Sequence, residues 1–430
     1  MFQIIFEATK FIHDSILGPD FLENTGSKSE WTPEHECFVQ ILSPFILTEL
    51  LSDCLIPSIP DNSNDMATYG GFLDAVRAFD KNMKDAHMLF ADSCELLDFV
   101  AGANLAYARK RKSQLLMEIR KIIESEDQNT FEVDDATERG SIRSLYAAKT
   151  GGVKAVSEMP QGKGANSEKH GIAISETSFR LPKCQVSVQA QTLVEQAYQT
   201  LNEALLLDNE SAIELFYCTR DIFDLYRAVM PILHADNILN SPARAIIFYN
   251  DCEYFSHHLL TLGYQYKDKL PEPANKFATF LDMIPYFRNL GEKYFRSQLR
   301  TQRDILREFV TSANGFSTLT DDNRFEAVEK SIKKALSHLN GLSRVWKPLL
   351  AVDTYLSAMG LLVDTLLESM IAEASKLSAI SKEESHQLRY IMGLANKVEN
   401  FFEIKSSSSA KVSEKVDDCF FVFLRFITTF

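Results

Sequence analysis

Turn-forming residues are scarce in this chain, which has only 17 Gly and 13 Pro among 430 residues. That scarcity argues against a turn-rich β fold and in favour of long helices. Basic charge is also short: 45 Lys and Arg stand against 59 Asp and Glu, leaving a net charge of −14. A nucleic-acid binder needs a basic face to displace counterions from phosphate, so this balance points away from that class. It points equally away from a purely electrostatic attraction to anionic lipid. The seven cysteines, Cys37, Cys54, Cys94, Cys184, Cys218, Cys252 and Cys419, are scattered, odd in number and nowhere in a CxxC pair. A zinc ribbon or a disulfide framework is therefore not expected, and a reducing cytosolic compartment is. No apolar run reaches the length of a membrane span, and the opening Met1–Glu7 has no basic flank of a secretory signal. Any work at a membrane is expected to run through partners.

What is present is a composition 45% apolar and 24% charged, enough for sizeable cores and about two or three domains. The predicted fold class is all-α. Residues 1–124 read as an N-terminal helical segment. It opens with an amphipathic helix carrying Phe2, Ile5, Phe6, Ala8, Ile12 and Ile16. A second helix starts at Thr32-Pro33, a capping residue before a proline at the first helical position. Its broad apolar face runs from Phe38 through Ile41, Phe45, Leu47 and Leu50 to Leu51. A turn at Ile56–Asn62 separates it from helices near 66–90 and 93–124, the latter predicted to bury Leu97, Val100, Tyr107, Leu115, Ile119 and Ile122.

Apolar periodicity disappears at 125–181, where Gly, Ser, Lys, Asp and Glu take over. Such a stretch buries too little surface to offset the entropy of ordering it, and a disordered linker is expected. Periodicity returns over 182–404, a second helical bundle. Leu215, Cys218, Ile222, Leu225, Val229 and Ile232 form one stripe in steps of three and four, and Phe248, Cys252, Phe255, Leu259 and Leu262 form another. Ser241-Pro242 opens the helix bearing the second stripe, and Ser381–Glu384 has the form of a capping box. The tail 405–430 contrasts with the rest: a serine run, then nearly continuous apolar residues from Cys419 to Phe430. Twelve residues cannot span a bilayer.

Candidate chemistry is thin. His257 and His258, near Cys252 and Glu253, invite a metal reading and with it a helical enzyme. Adjacent helical residues point about 100° apart, however, so the two histidines cannot share an ion. Glu253 with His257 supplies only two ligands. Buried, hydrogen-bonding histidines are the competing reading. Gly162-Lys163-Gly164-Ala165-Asn166-Ser167 lacks the Gly-Lys-Ser/Thr order of a phosphate loop and follows no apolar strand. Residue types for a Ser/His/Asp or Cys/His set are present, but no nucleophile sits in a GxSxG elbow. Cys218 and Cys252 fall on apolar stripes and read as small core residues. The run Arg109-Lys110-Arg111-Lys112 reads as a solvated helix face, with a partner or lipid head-group contact as its rival. No catalytic, cofactor or metal residue is assigned. One linker segment is a weak partner-binding candidate: Phe131, Glu132, Asp135, Ala136 and Glu138 resemble acidic-tract peptides that bind endoplasmic-reticulum receptor proteins. A solvated acidic linker is the alternative.

Longer motifs carry a family resemblance. Glu214–Tyr217, Arg220–Phe223 and especially Asn250-Asp251-Cys252 through His257–Gly263 are similar to the Zeste-White-Ten kinetochore and vesicle-tethering family. So are Asp53–Ile56 with Ser58-Ile59-Pro60, Ser178–Pro182 and Ala358-Met359-Gly360. The resemblance covers most of 1–400 outside the linker and is expected to stop near Phe402. It implies a chain truncated at both ends relative to the family, whose members extend further at the amino end. It implies stacked helical bundles of the multisubunit tethering-complex (CATCHR-like) type and no catalysis. It further implies partners: tethering-complex subunits and SNARE proteins in Golgi-to-endoplasmic-reticulum retrograde transport, and rough-deal and zwilch type proteins at the kinetochore. The corresponding location is cytoplasmic, peripheral at the endoplasmic-reticulum membrane, and at kinetochores in mitosis.

Overall fold

The computed structural model describes residues 1–17, 33–125, 129–134 and 181–402, with residues 314 and 378 excepted. Helices dominate them, and the fold class is all-α. In chain order they are α1 (Phe2–Leu17), α2 (Pro33–Glu49), a π-helical turn (Leu50–Leu55), α3 (Ser63–Asp85) and α4 (Glu95–Glu124). A short strand β1 (Thr130–Val133) follows, then β2 (Cys184–Ser187), α5 (Val188–Ala204), α6 (Asn209–Leu233), α7 (Ala235–Asn240) and α8 (Pro242–Lys267). The chain continues with α9 (Ala274–Phe277), α10 (Ile284–Ser312), α11 (Asp322–Leu349), α12 (Val352–Ala374), α13 (Lys382–Gly393) and a 3-10 turn (Leu394–Phe401).

The described helices pack as two compact units that interleave along the chain. One draws on Met1–Lys121, Gln199–Ile222 and Tyr266–Ala278, the other on Ile122–Tyr198, Phe223–Gln265 and the residues from Thr279 onward. Consecutive segments 1–124 and 182–404 were the expectation, because periodicity marks where helices lie and not which helices pack together. The expectation of a linker from residue 125 also needs correction. Residues 130–133 pair antiparallel with 184–187, Phe131 opposite Val186 and Val133 opposite Cys184. Four residues are too short a run to show alternation against a charged background.

In the first unit, Leu47, Leu50, Leu55, Val76, Phe79 and Met83 form a core against which Phe2, Ile5 and Phe6 of α1 pack. The Phe2 ring lies 5.2 Å from that of Phe79 and 5.7 Å from that of Phe72. Asn62 caps α3 by accepting from the Asp65 amide. The predicted burial of Leu97 fails, since it is 41% exposed, and Ile41 and Phe45 of the broad apolar face of α2 are exposed too. The run Arg109–Lys112 is a solvated face only at Arg109, which is exposed; the other three side chains are engaged. Lys110 pairs with Asp61 at 2.8 Å and donates to the Ile59 carbonyl, Arg111 pairs with Glu203 at 3.2 Å, and Lys112 reaches Asp221 at 2.9 Å and Glu214 at 3.3 Å. The acids come from distant sequence, which is why the run alone reads as solvated.

The second unit contains an extended core built on α10, α11, α12 and α13 around Trp346, Leu306, Leu339, Met359 and Leu366. The Phe248–Leu262 stripe is buried as predicted, but the α6 stripe is not continuous. Burial shifts to Phe223 and Tyr226, and Ile232 is 80% exposed. The rings of Phe223, Tyr226 and Phe287 gather on Phe255 at 4.8 to 5.6 Å, within the range of favourable aromatic pairs. The capping box at Ser381 forms, with reciprocal bonds to Glu384 of 3.0 and 3.1 Å. Two helical stretches, Glu36–Leu55 and Val352–Ala374, are long and apolar enough to cross a membrane by length and composition. This departs from the expectation of none. Val352–Ala374 spends its apolar residues on the core of the second unit.

Helices α8 and α10 approach each other at Gly291, where an added Cβ would stand 2.8 Å from the Cys252 Cβ. Neither atom is the movable end of a side chain. Gly291→Ala is expected to destabilise the protein by about 1–3 kcal/mol through overpacking, read as a lowered urea midpoint. An unchanged or raised midpoint would refute the close approach.

Candidate functional site

The densest buried polar cluster among the described residues lies in the second unit and centres on α8. Its apolar stripe holds Phe248, Cys252 and Phe255 in the core, which carries the neighbouring Asn250 and Asp251 inward as well. Asp251 is 1% exposed. Its carboxylate accepts from the Ser187 amide at 2.8 Å, the Ser187 hydroxyl at 2.8 Å and the Tyr226 hydroxyl at 3.2 Å. Ser187 Oγ in turn accepts from the Ala190 amide at 3.1 Å and so caps the start of α5. Asn250 donates to two carbonyls, Gln185 of β2 and Leu349 at the end of α11, each at 2.8 Å. One dipeptide therefore ties together β2, the N-terminus of α5 and the C-terminus of α11.

The ends of α4 and α6 join the cluster. Gln189 Nε2 donates to the Ile122 and Ser125 carbonyls at 3.0 and 2.7 Å, and His234 Nε2 donates to the Ile123 carbonyl at 2.7 Å. Between these groups is a cavity of about 40 Å³, with Ser187, Gln189, His234, Arg244 and Asp251 in its wall. That volume suits roughly one water, far below the several hundred Å³ of an organic-ligand pocket.

Burial pushes the Asp251 carboxyl up to about 6, while the Ser187 and Tyr226 hydrogen bonds and Arg244 act to lower it. Burial, with the adjacent Asp251, pushes the Tyr226 phenol well above its ordinary range and keeps it a donor. Ser, His and Asp side chains thus meet here, yet not in the order of a nucleophilic triad. Such a triad places the histidine between the serine and the aspartate. Here Ser187 gives its proton directly to Asp251, and His234 spends Nε2 on a backbone carbonyl. The arrangement is a clamp.

The residues singled out from sequence fall elsewhere. His258 is buried with its ring 4.4 Å from Tyr254, and His257 is half-buried. Glu253 faces Arg288 at 3.9 Å. Among the described residues, no three His, Cys, Asp or Glu side chains gather as a metal site. Burial pushes the Cys218 thiol up to about 12 and that of Cys252 well above its usual range, which suppresses the reactive thiolate. Phe131 and Glu132 stand on β1. The Phe131 ring packs edge-on to Tyr254, and Glu132 pairs with Lys183 at 2.7 Å. Asp135, Ala136 and Glu138 lie outside the described residues, as does Gly162–Ser167. Asp251 went unassigned because nothing in a helical repeat marks a carboxylate as buried; its place between two stripe residues, Phe248 and Cys252, is the signal that could have found it.

These features define a protein of the all-α class whose buried polar cluster around Asp251 is structural. Three family models match in succession: the middle domain of centromere/kinetochore protein zw10 over residues 1–123, its C-terminal region over 179–308, and the zw10 C-terminal helical domain over 330–428. The chain is 33% identical over 341 residues to the centromere/kinetochore protein zw10 homolog of Rattus norvegicus, covering 79% of this chain and 44% of that protein. The Mus musculus homolog is 32% identical over 342 residues, with the same coverages. The Arabidopsis thaliana homolog is 22% identical over 385 residues, covering 89% of this chain and 47% of that protein. The chain belongs to the zw10 family. It spans less than half the length of these relatives. The match over 330–428 also carries the likeness past Phe402, into the tail that the sequence set apart.

Asp251 has a folded value above the 3.8 of a free carboxyl, so the native state binds its proton more tightly. Its contribution favours folding below about pH 4 and is lost as pH rises through about 6. Relative to Asp251→Asn, the wild-type protein is expected to lose up to about 3 kcal/mol of stability between pH 4 and pH 7, measured by urea unfolding at both. Parallel pH profiles for the two proteins would contradict this.

Proposed function

We propose that this chain is a non-catalytic scaffold segment that works by holding partner sites at fixed positions. The observation that carries the proposal is the succession of three zw10 family matches over the helical units. The use of the densest polar cluster for internal ties supports it. The relatives are named for the centromere and kinetochore, so a place in a kinetochore complex with rough-deal and zwilch type proteins belongs to the proposal. So does a second place, with tethering-complex subunits and SNARE proteins in Golgi-to-endoplasmic-reticulum transport, peripheral to the endoplasmic-reticulum membrane. The mechanism in both settings is mechanical: rigid helices fix the distance between binding sites, and reaction chemistry is absent from the role.

Affinity purification of the tagged chain from interphase and from mitotic cells tests this. Tethering subunits and SNARE proteins are expected in the first, and rough-deal and zwilch type proteins in the second. Recovery of neither set would overturn the scaffold reading.

A further inference from the structure

The chain is acidic overall, but its charge is unevenly placed. Helix α11 has six Lys and Arg against three Asp and Glu, and all three acids lie in its first eight residues. Residues 330–349 hold five cations, Lys330, Lys333, Lys334, Arg344 and Lys347, and no acid. The helix dipole accounts for a cation in the last turn, which is Lys347, but its effect does not reach Lys330 or Lys334 four turns earlier. Glu329 engages Lys333 at 2.8 Å. Among the described residues, none of Lys330, Lys334 and Arg344 has an acidic partner.

An open groove of about 740 Å³ runs beside this basic stretch, within the second unit. Its apolar lining includes Pro242 and Ala243 at the start of α8, Phe309 of α10, and Leu342 and Val345 of α11. Gly341 leaves the floor low: among the described residues, apart from the neighbouring backbone of its own helix, nothing stands within 4 Å of where its Cβ would be. Val345 is 39% exposed, and Lys334 stands at the rim. His338, also in the wall, holds Gln302 at 2.6 Å, and burial lowers its pKa, which keeps it neutral. Among the described residues, no acid lines the groove.

We propose that this groove binds an acidic amphipathic segment of a partner protein. Apolar side chains of the segment seat over Gly341, Leu342 and Val345, and its carboxylates meet Lys330, Lys334 and Arg344. This is helix-in-groove recognition with electrostatic selection. A concave apolar floor suits a peptide better than a flat bilayer. The inference adds a partner class to the scaffold reading but is measured separately from it.

Fluorescence anisotropy of the full chain, with a labelled 20-residue helical peptide of Leu and Glu, tests the proposal; the same peptide with Lys for Glu is the control. The Glu peptide is expected to bind, more weakly as salt rises, and the Lys peptide not to bind. Lys334→Glu and Gly341→Gln, both at exposed positions, should each weaken binding by about tenfold or more through like-charge repulsion and filling of the floor. Lys382→Glu, on α13 and outside the groove, should leave it unchanged. Absence of binding, equal binding of both peptides, or no effect of the two groove variants would overturn the proposal. Binding of phosphatidylserine vesicles that those variants abolish, without peptide binding, would also overturn it and assign the surface to membrane. Any of these results is compatible with successful recovery of the complexes above, so the two readings fail independently.

Discussion

A carboxylate taken out of water costs several kcal/mol unless its lone pairs are met. Asp251 is 1% exposed, and the second unit is arranged to meet that demand. Three donors converge on it, two from Ser187 and one from Tyr226. To bring Ser187 there, β2 must end and α5 must begin at that point. Asn250, one residue earlier, fixes the same strand through the Gln185 carbonyl and anchors the end of α11. The pairing of β1 with β2, which draws residues 133 and 184 together, leans on this pair of side chains. Replacing a clamp of this sort by apolar residues need not destabilise, but removing one partner leaves a buried charge exposed to its full desolvation cost.

The motifs that carry the family likeness have structural work in common. Asn250-Asp251 is the clamp. Glu214 and Asp221 receive Lys112, and the Ile59 carbonyl and Asp61, beside the Ser58–Pro60 motif, receive Lys110. In the first unit these contacts join helices far apart in sequence. For a scaffold this is physically sensible, because a protein that positions partners depends on rigid joints between helices. Polar residues at such joints specify register in a way that apolar contacts, tolerant of sliding, do not.

Much of the helical architecture was legible. The stripe from Phe248 to Leu262, the proline-led start at Pro242 and the capping box at Ser381 all follow from local rules, and the structure has each of them. Tertiary choices were less legible. Ile232 continues a stripe in sequence yet is exposed, because the packing partner of α6 changes along its length and Phe223 and Tyr226 take over. The two four-residue strands lack a visible repeat, and their partner lies some fifty residues away. The clamp escaped for a related reason: Asp251 looks like any helical acid until Ser187 and Tyr226 are brought to it. Basic residues 110–112 looked solvated for want of their distant acids.

Hydrogen exchange on the full chain, comparing wild type with the Asn250→Ala/Asp251→Ala double variant, tests the clamp most directly. Amides of Thr130–Val133, Cys184–Ser187 and the first turn of α5 are expected to lose protection in the variant, while the cores of α10 and α12 retain theirs. Unchanged protection across the β1–β2 pair would contradict the account, because the strand pair would then be held by something other than these two side chains.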